Sequence, residues 1–101
     1  MDETQAVKTA PAAWVVGVLV KPPGEAMQRH YYAVGWADRA KAEWTAVDRA
    51  IVTGEVASGP IGGAEPVEAL KPLTRPRMAA LGLAPGEVRE LGWRFPRRWL
   101  S

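Results

Sequence analysis

Apolar runs broken by proline and glycine divide the chain into short segments. Trp14-Val15-Val16-Gly17-Val18-Leu19-Val20 is apolar on both alternations and rich in β-branched residues, as expected for a strand covered on both faces. Lys21-Pro22-Pro23-Gly24 ends it, because two prolines remove ladder donors and Gly24 permits a turn. A second run, His30 to Trp36, follows after a short loop, and an antiparallel hairpin is the simplest connection. The pattern predicts strands over about residues 13–20 and 30–36, with the first at the centre of a sheet.

After Asp38 the apolar period lengthens. Ala40, Trp44, Val47 and Ile51 are spaced four, three and four residues apart, with Arg39, Lys41, Glu43, Asp48 and Arg49 mostly off that stripe, which is the periodicity of an amphipathic helix. A helix over 38–52 follows, with Asp38 as N-cap and Gly54 as its stop, and the stripe is expected to cover one face of the sheet. Residues 54–65 hold four glycines and one proline with little to bury, which reads as a mobile connector rather than a lid. Val67 to Leu70 suits a third strand over 66–71. Thr74-Arg75-Pro76 starts a short helix over 75–81, the proline lying in the first turn where its missing N–H costs little. Gly82 provides the left-handed stop that lets Leu83 fold back on Met78. Ala84-Pro85-Gly86-Glu87 reads as a turn, and residues 87–92 fit either a fourth strand or one helical turn.

The predicted fold class is therefore α+β: a small antiparallel sheet of three or four strands packed by one long helix and accompanied by a short one. The expected organisation is a loosely held N-terminus over 1–12, a single domain over 13–92 and a basic, aromatic tail over 93–101.

Composition sharpens this picture. With 101 residues, 48% of them hydrophobic and 24% charged, one core is the expectation. The chain has five Trp, each able to bury roughly 150–250 Å², so the indoles are expected to mark that core. Cysteine is absent, which removes disulfides and thiolate chemistry and points to a cytoplasmic setting. The apolar run from Ala12 to Val20 is far short of the roughly 20 residues that span a bilayer, and Met1-Asp2-Glu3 is acidic where a signal peptide is basic. Neither membrane insertion nor secretion is expected.

Charge is unevenly spread. Residues 1–70 carry six cations and nine anions, while residues 71–101 carry seven and two. A negatively charged partner would meet the C-terminal third.

Few residues support bond-breaking chemistry. One His and no Cys leave too few soft ligands for a transition-metal site, and no cofactor motif is present. Ser58, within Ala57-Ser58-Gly59-Pro60, is not a nucleophile elbow. The glycines at 59–63 follow a helix and lack the lysine of a phosphate-binding loop. His30-Tyr31-Tyr32 could serve acid–base chemistry only in a cleft, and strand alternation sends Tyr31 to the face opposite His30 and Tyr32. A non-catalytic role is expected.

The tail is the most distinctive segment. Trp93, Arg94, Phe95, Arg97, Arg98 and Trp99 place three cations among three rings with no carboxylate. Three uses follow. In one, the rings fold onto the domain as a strap with the arginine stems along it. In another, the tail enters a groove on another protein or a second copy, where Trp and Arg are the typical anchors. Or guanidinium groups contact phosphates while rings stack on bases. The reading adopted is a protein-interaction or assembly module acting through these six residues, with homo-oligomerisation through an exposed strand edge as one form; the alternative is weak, sequence-tolerant nucleic-acid binding.

Overall fold

A computed structural model describes residues 10–101; most of the predicted N-terminal segment 1–12 lies outside the described residues. Five strands, β1 (Pro11–Lys21), β2 (Gln28–Val34), β3 (Glu55–Val56), β4 (Val67–Thr74) and β5 (Val88–Gly92), form one sheet. Three helices accompany it, α1 (Arg39–Thr53), α2 (Arg75–Ala80) and α3 (Arg97–Leu100). The fold is α+β, and every strand pair is antiparallel.

β1 is central, as its two-sided apolar pattern requires. Its register with β2 runs from Trp14 opposite Val34 to Val20 opposite Gln28. On its other side it pairs with β4 along Pro11–Val18 and with β3 at Val20 and Lys21. β2 carries β5 at its outer edge. β1 begins at Pro11, earlier than the predicted residue 13, because β4 continues to Thr74 and keeps Pro11 paired. β3 corrects the reading of 54–65 as a connector alone: Glu55 and Val56 extend the ladder of β1 before the chain turns back through the Ile61–Ala64 bridge.

Alternation along β1 and β2 divides the core into two layers. Ala13, Val15 and Ala33 face Leu73, Met78, Leu81, Leu83 and Trp99. Val16, Val18, Tyr32 and Val34 face α1. The sheet is thus covered on both sides.

The caps form where the residue types call for them. The Asp38 carboxylate accepts the Lys41 N–H at 2.8 Å, and the Thr74 hydroxyl accepts the Arg77 N–H at 3.4 Å. At the end of α2 the Leu83 N–H donates to the Met78 carbonyl and the Gly82 N–H to the Ala79 carbonyl, with Gly82 at φ 74°, which is the Schellman geometry. Gly54 ends α1 for a different reason from the expected left-handed turn. Its φ is 176°, and a Cβ there would lie 2.2 Å from the Lys21 carbonyl oxygen, so the glycine is required by close approach of α1 to the end of β1.

The face of α1 that meets the sheet differs from the predicted one. Ala42, Ala46 and Ala50 are fully buried against Val16, Val18, Tyr32 and Val34, whereas Trp44 is 70% and Ile51 58% exposed. Tyr32 and three valines already fill the space above the sheet, so the helix closes on it through its smallest side chains. The five Trp do not mark the core either: only Trp99 is buried, while Trp36, Trp44 and Trp93 are exposed. Trp14 is half-buried, its indole N–H donating to the Ala37 carbonyl at 2.9 Å. No helix among the described residues is long and apolar enough to cross a membrane.

Candidate functional site

The C-terminal segment is built by two elements that hold its ends. Val88–Gly92 resolves the strand-or-helix ambiguity as an edge strand, Val88 lying opposite Val34 and Gly92 opposite Tyr31. Gly92, at φ 82°, then turns the chain off the sheet edge. At the far end Trp99 enters the core between sheet and α2 with 7% of its surface exposed, and Leu100 packs beside it.

Between those anchors the rings face outward. Trp93 is 59% and Phe95 64% exposed. The Arg94 guanidinium lies 5.4 Å from the centroid of the Trp93 ring, within cation–π range. Phe95 touches Tyr31 edge to face, centroids 6.1 Å apart. Arg97 and Arg98 are exposed on α3.

The six residues grouped by sequence therefore divide into two kinds. Trp99 is a core residue and drops out of the group predicted to make contacts, because its ring belongs to the buried cluster with Met78, Leu81 and Leu83. Trp93, Arg94, Phe95, Arg97 and Arg98 remain at the surface. The docked part and the exposed part are successive stretches of one segment, divided at Pro96.

Arg89, which composition alone does not single out, organises the docked part. Its guanidinium lies 5.7 Å from the centroid of Trp99 and donates to the carbonyl oxygens of Leu81 and Gly82 at 3.3 and 2.8 Å. It also pairs with the Glu87 carboxylate at 2.7 Å. Glu87 in turn accepts the Ala84 N–H at 2.8 Å, and this bond, followed by that from Arg89, holds its carboxyl below the usual carboxylate range. One strand residue thus ties together the end of α2, the following turn and the tail.

Two further cations converge on α3. Arg77 donates to the Arg98 carbonyl at 2.7 Å, and the Lys71 ammonium donates to the main-chain oxygen of Ser101. Positive charge at the C-terminal end of a helix offsets its exposed carbonyls. The signal for this gathering was the excess of cations over anions after residue 70; which of them meet depends on the pairing of β4 with β1.

The candidate acid–base residues separate. His30 Nε2 lies 3.0 Å from the Gln28 side-chain oxygen. Tyr31 is buried beside Phe95 on one sheet face, and Tyr32 is buried beneath α1 on the other. A cleft of about 700 Å³ between α2 and the loop after β2 is lined by Trp36, Met78 and Leu83, with Arg75 as its one titratable side chain among the described residues. Among the described residues no three His, Asp or Glu side chains gather as a metal site would require.

Comparison with protein-family models, with curated proteins and with solved structures finds no match to this chain. What the arrangement can do must be read from its geometry. An exposed indole, an exposed phenyl and a guanidinium between them offer one contact that is apolar, planar and cationic at once. That combination suits recognition of another macromolecule's surface.

Proposed function

We propose that this protein is a non-catalytic binding module of the cytoplasm that engages another protein, or assembles, through the bend formed by Trp93, Arg94 and Phe95 and flanked by Arg97 and Arg98. The observation that carries this reading is the exposure of Trp93 and Phe95 on a segment anchored at both ends. A free tail would lose conformational entropy on binding; a bend fixed by β5 on one side and Trp99 on the other has already lost it in folding. Exposed rings presented in this way gain affinity from burial without the ordering cost. The cytoplasmic setting rests on the cysteine-free composition.

Site-specific photocrosslinking in cells tests the reading. A photoreactive residue at position 93 should give a discrete protein adduct that disappears on Phe95→Ala, and one at the exposed control position Glu65 should not. Identical adducts from both positions, or none from position 93, would sink the proposal.

A second reading, weak nucleic-acid binding through the same surface, is supported by the gathering of Lys71, Arg77, Arg97 and Arg98 around α3. Arg77 and Lys71 each spend a donor on a main-chain oxygen, which reduces what they offer to phosphates. Three phosphate contacts would give a logarithmic salt slope of about −2 on single strands. Fluorescence anisotropy with a labelled oligonucleotide should show that slope, and Arg97→Glu with Arg98→Glu should abolish the signal; a salt-independent affinity would remove this reading.

A further inference from the structure

The large apolar side chains of α1 point away from the protein's own core. Ala40, Trp44, Val47 and Ile51 form a stripe roughly 100–160° around the helix from the buried alanines, at about 100° per residue. Beside it runs a groove of about 350 Å³ walled on one side by Trp44 itself and Val47 and on the other by Val56, Ala57, Pro66 and Val67, with Glu43 as its one charged lining residue among the described residues. An exposed Trp next to an apolar groove is the pairing of knob and socket that a self-complementary interface needs.

The flanks of the stripe indicate what covers it. Lys41 and Asp48, opposite in charge, are seven residues apart and so lie on the same flank. Two such helices packed antiparallel about a two-fold axis near residues 45 and 46 bring Trp44 against the partner's Val47, and Ala40 against the partner's Ile51. The same operation places Lys41, whose ammonium rests 3.6 Å from the centroid of its own Trp36 ring with its N–H donors still available, beside the partner's Asp48, offset by about 3 Å along the axis given a rise of 1.5 Å per residue, and symmetry repeats the pair. On the other flank Glu43 already holds Arg39 of its own helix at 3.5 Å. A parallel two-fold pair would instead turn this flank toward the partner's Arg39 and Glu43, which already hold one another. We infer that α1 is the interface of an antiparallel, two-fold symmetric homodimer in which Trp44 of each copy seats against the other's groove.

The sheet edges compete poorly for this role. β5 carries Arg89 and Glu90, and β4 carries Pro72 and a register shift opposite Val15 and Val16, all features that disfavour edge pairing. With 70% of each Trp44 exposed, the two indoles contribute most but not all of the roughly 150–250 Å² each can bury, and with Ile51 and the groove walls they bring the buried area toward the roughly 1,200 Å² at which specific pairs begin. Interfaces at that lower limit are typically weak and transient, so the association expected depends on concentration. α1 and the bend at Trp93 lie on opposite faces of the sheet, so this inference does not depend on the function proposed above; a dimer formed through α1 leaves both bends free and outward.

Sedimentation velocity on the full chain, from micromolar to millimolar, tests it. The wild-type protein should be a concentration-dependent dimer. Trp44→Asp should weaken it by at least about 30-fold, the effect of losing a hot spot, with unchanged circular dichroism and with unchanged melting at concentrations too low for association. Lys41→Asp should weaken it by about tenfold, and adding Asp48→Lys should restore it, which no loss of folding could mimic. Trp93→Ala with Phe95→Ala should leave the dimer intact, so failure of the bend to bind a partner and failure of α1 to dimerise are read separately. A wild-type monomer throughout, a dimer indifferent to Trp44→Asp or Lys41→Asp, a double variant that stays weak, or a dimer lost with the bend variants would overturn the assignment.

Discussion

The ring of Phe95 stands on edge to that of Tyr31, their planes at 84° and centroids 6.1 Å apart. Tyr31 is buried and belongs to the sheet; Phe95 is exposed and belongs to the bend. This contact fixes the direction of the bend, because Gly92 alone would let the chain leave β5 at many angles. It also divides the aromatic residues of the segment by role: Phe95 orients, Trp93 is presented and Trp99 anchors.

Replacing the anchor and the presented residue should therefore have opposite profiles. Trp99→Ala opens a cavity bounded by Met78, Leu81 and Leu83 and should cost about 3–5 kcal/mol. It also removes the ring beneath Arg89. Trp93→Ala should stay within about 0.5 kcal/mol while abolishing crosslinking from a photoreactive residue placed at the neighbouring exposed position 97. Urea unfolding monitored by far-UV circular dichroism checks both; equal costs would mean that the bend is not separate from the core.

Much of the fold was legible in the sequence because local chemistry and the final structure agree. The Asp38 and Thr74 caps, the Gly82 stop with Leu83 over Met78, and the central β1 each follow from residues within a few positions of one another. β3 was not legible, since two residues among glycines become a strand only by meeting Val20 and Lys21. The candidate site was half legible. Composition singled out residues 93–99 but could not say that Pro96 divides them, because the burial of Trp99 depends on a space made by α2 and β4.

The orientation of α1 was the instructive miss. The helix carries two apolar stripes, Ala40-Trp44-Val47-Ile51 and Ala42-Ala46-Ala50, and weighting by size favours the first. The sheet chooses the second because Tyr32 and its neighbouring valines leave room only for methyl groups. Ala46→Leu should then overpack the layer and cost about 1–3 kcal/mol, whereas Trp44→Gln, measured at protein concentrations too low for association, should stay within about 0.5 kcal/mol. Thermal melts of the two variants decide it, and a larger loss from Trp44→Gln would restore the predicted orientation.

Two glycines of the 54–65 segment should respond in opposite directions. At Gly54 a Cβ would meet the Lys21 carbonyl oxygen at 2.2 Å and its carbon at 2.7 Å, both main-chain atoms, so Gly54→Ala must move β1 and α1 apart and should cost about 2–3 kcal/mol. At Gly59 a Cβ would have open space, and φ is not in the left-handed region. Gly59→Ala should stabilise by about 0.4–1 kcal/mol by restricting the unfolded chain. Shifts of the urea midpoint in opposite directions are expected.

Tyr32 links the α1 layer to pH. Its ring is almost wholly buried beneath the helix. Desolvation raises its pKa from the usual 10.0; the hydrogen bond to Thr53 and the charge of Arg49 pull the other way, and the charge of Glu90 adds to the rise. Below about pH 10 the phenol is protonated in both folded and unfolded chains and contributes no pH dependence. Above that value the unfolded chain releases the proton while the folded one retains it, so the folded state binds more protons and stability must fall as pH rises. The loss should continue until the pH passes the raised folded pKa. Lysines titrate in the same range, so the measurement is a difference: urea midpoints of the wild-type chain and Tyr32→Phe compared from about pH 9 to 11. The Phe variant should lose less stability over that interval, since it has no proton to release on unfolding. Parallel curves would mean that α1 does not shield the phenol from water, and the packing of Ala42, Ala46 and Ala50 over it would have to be looser than described.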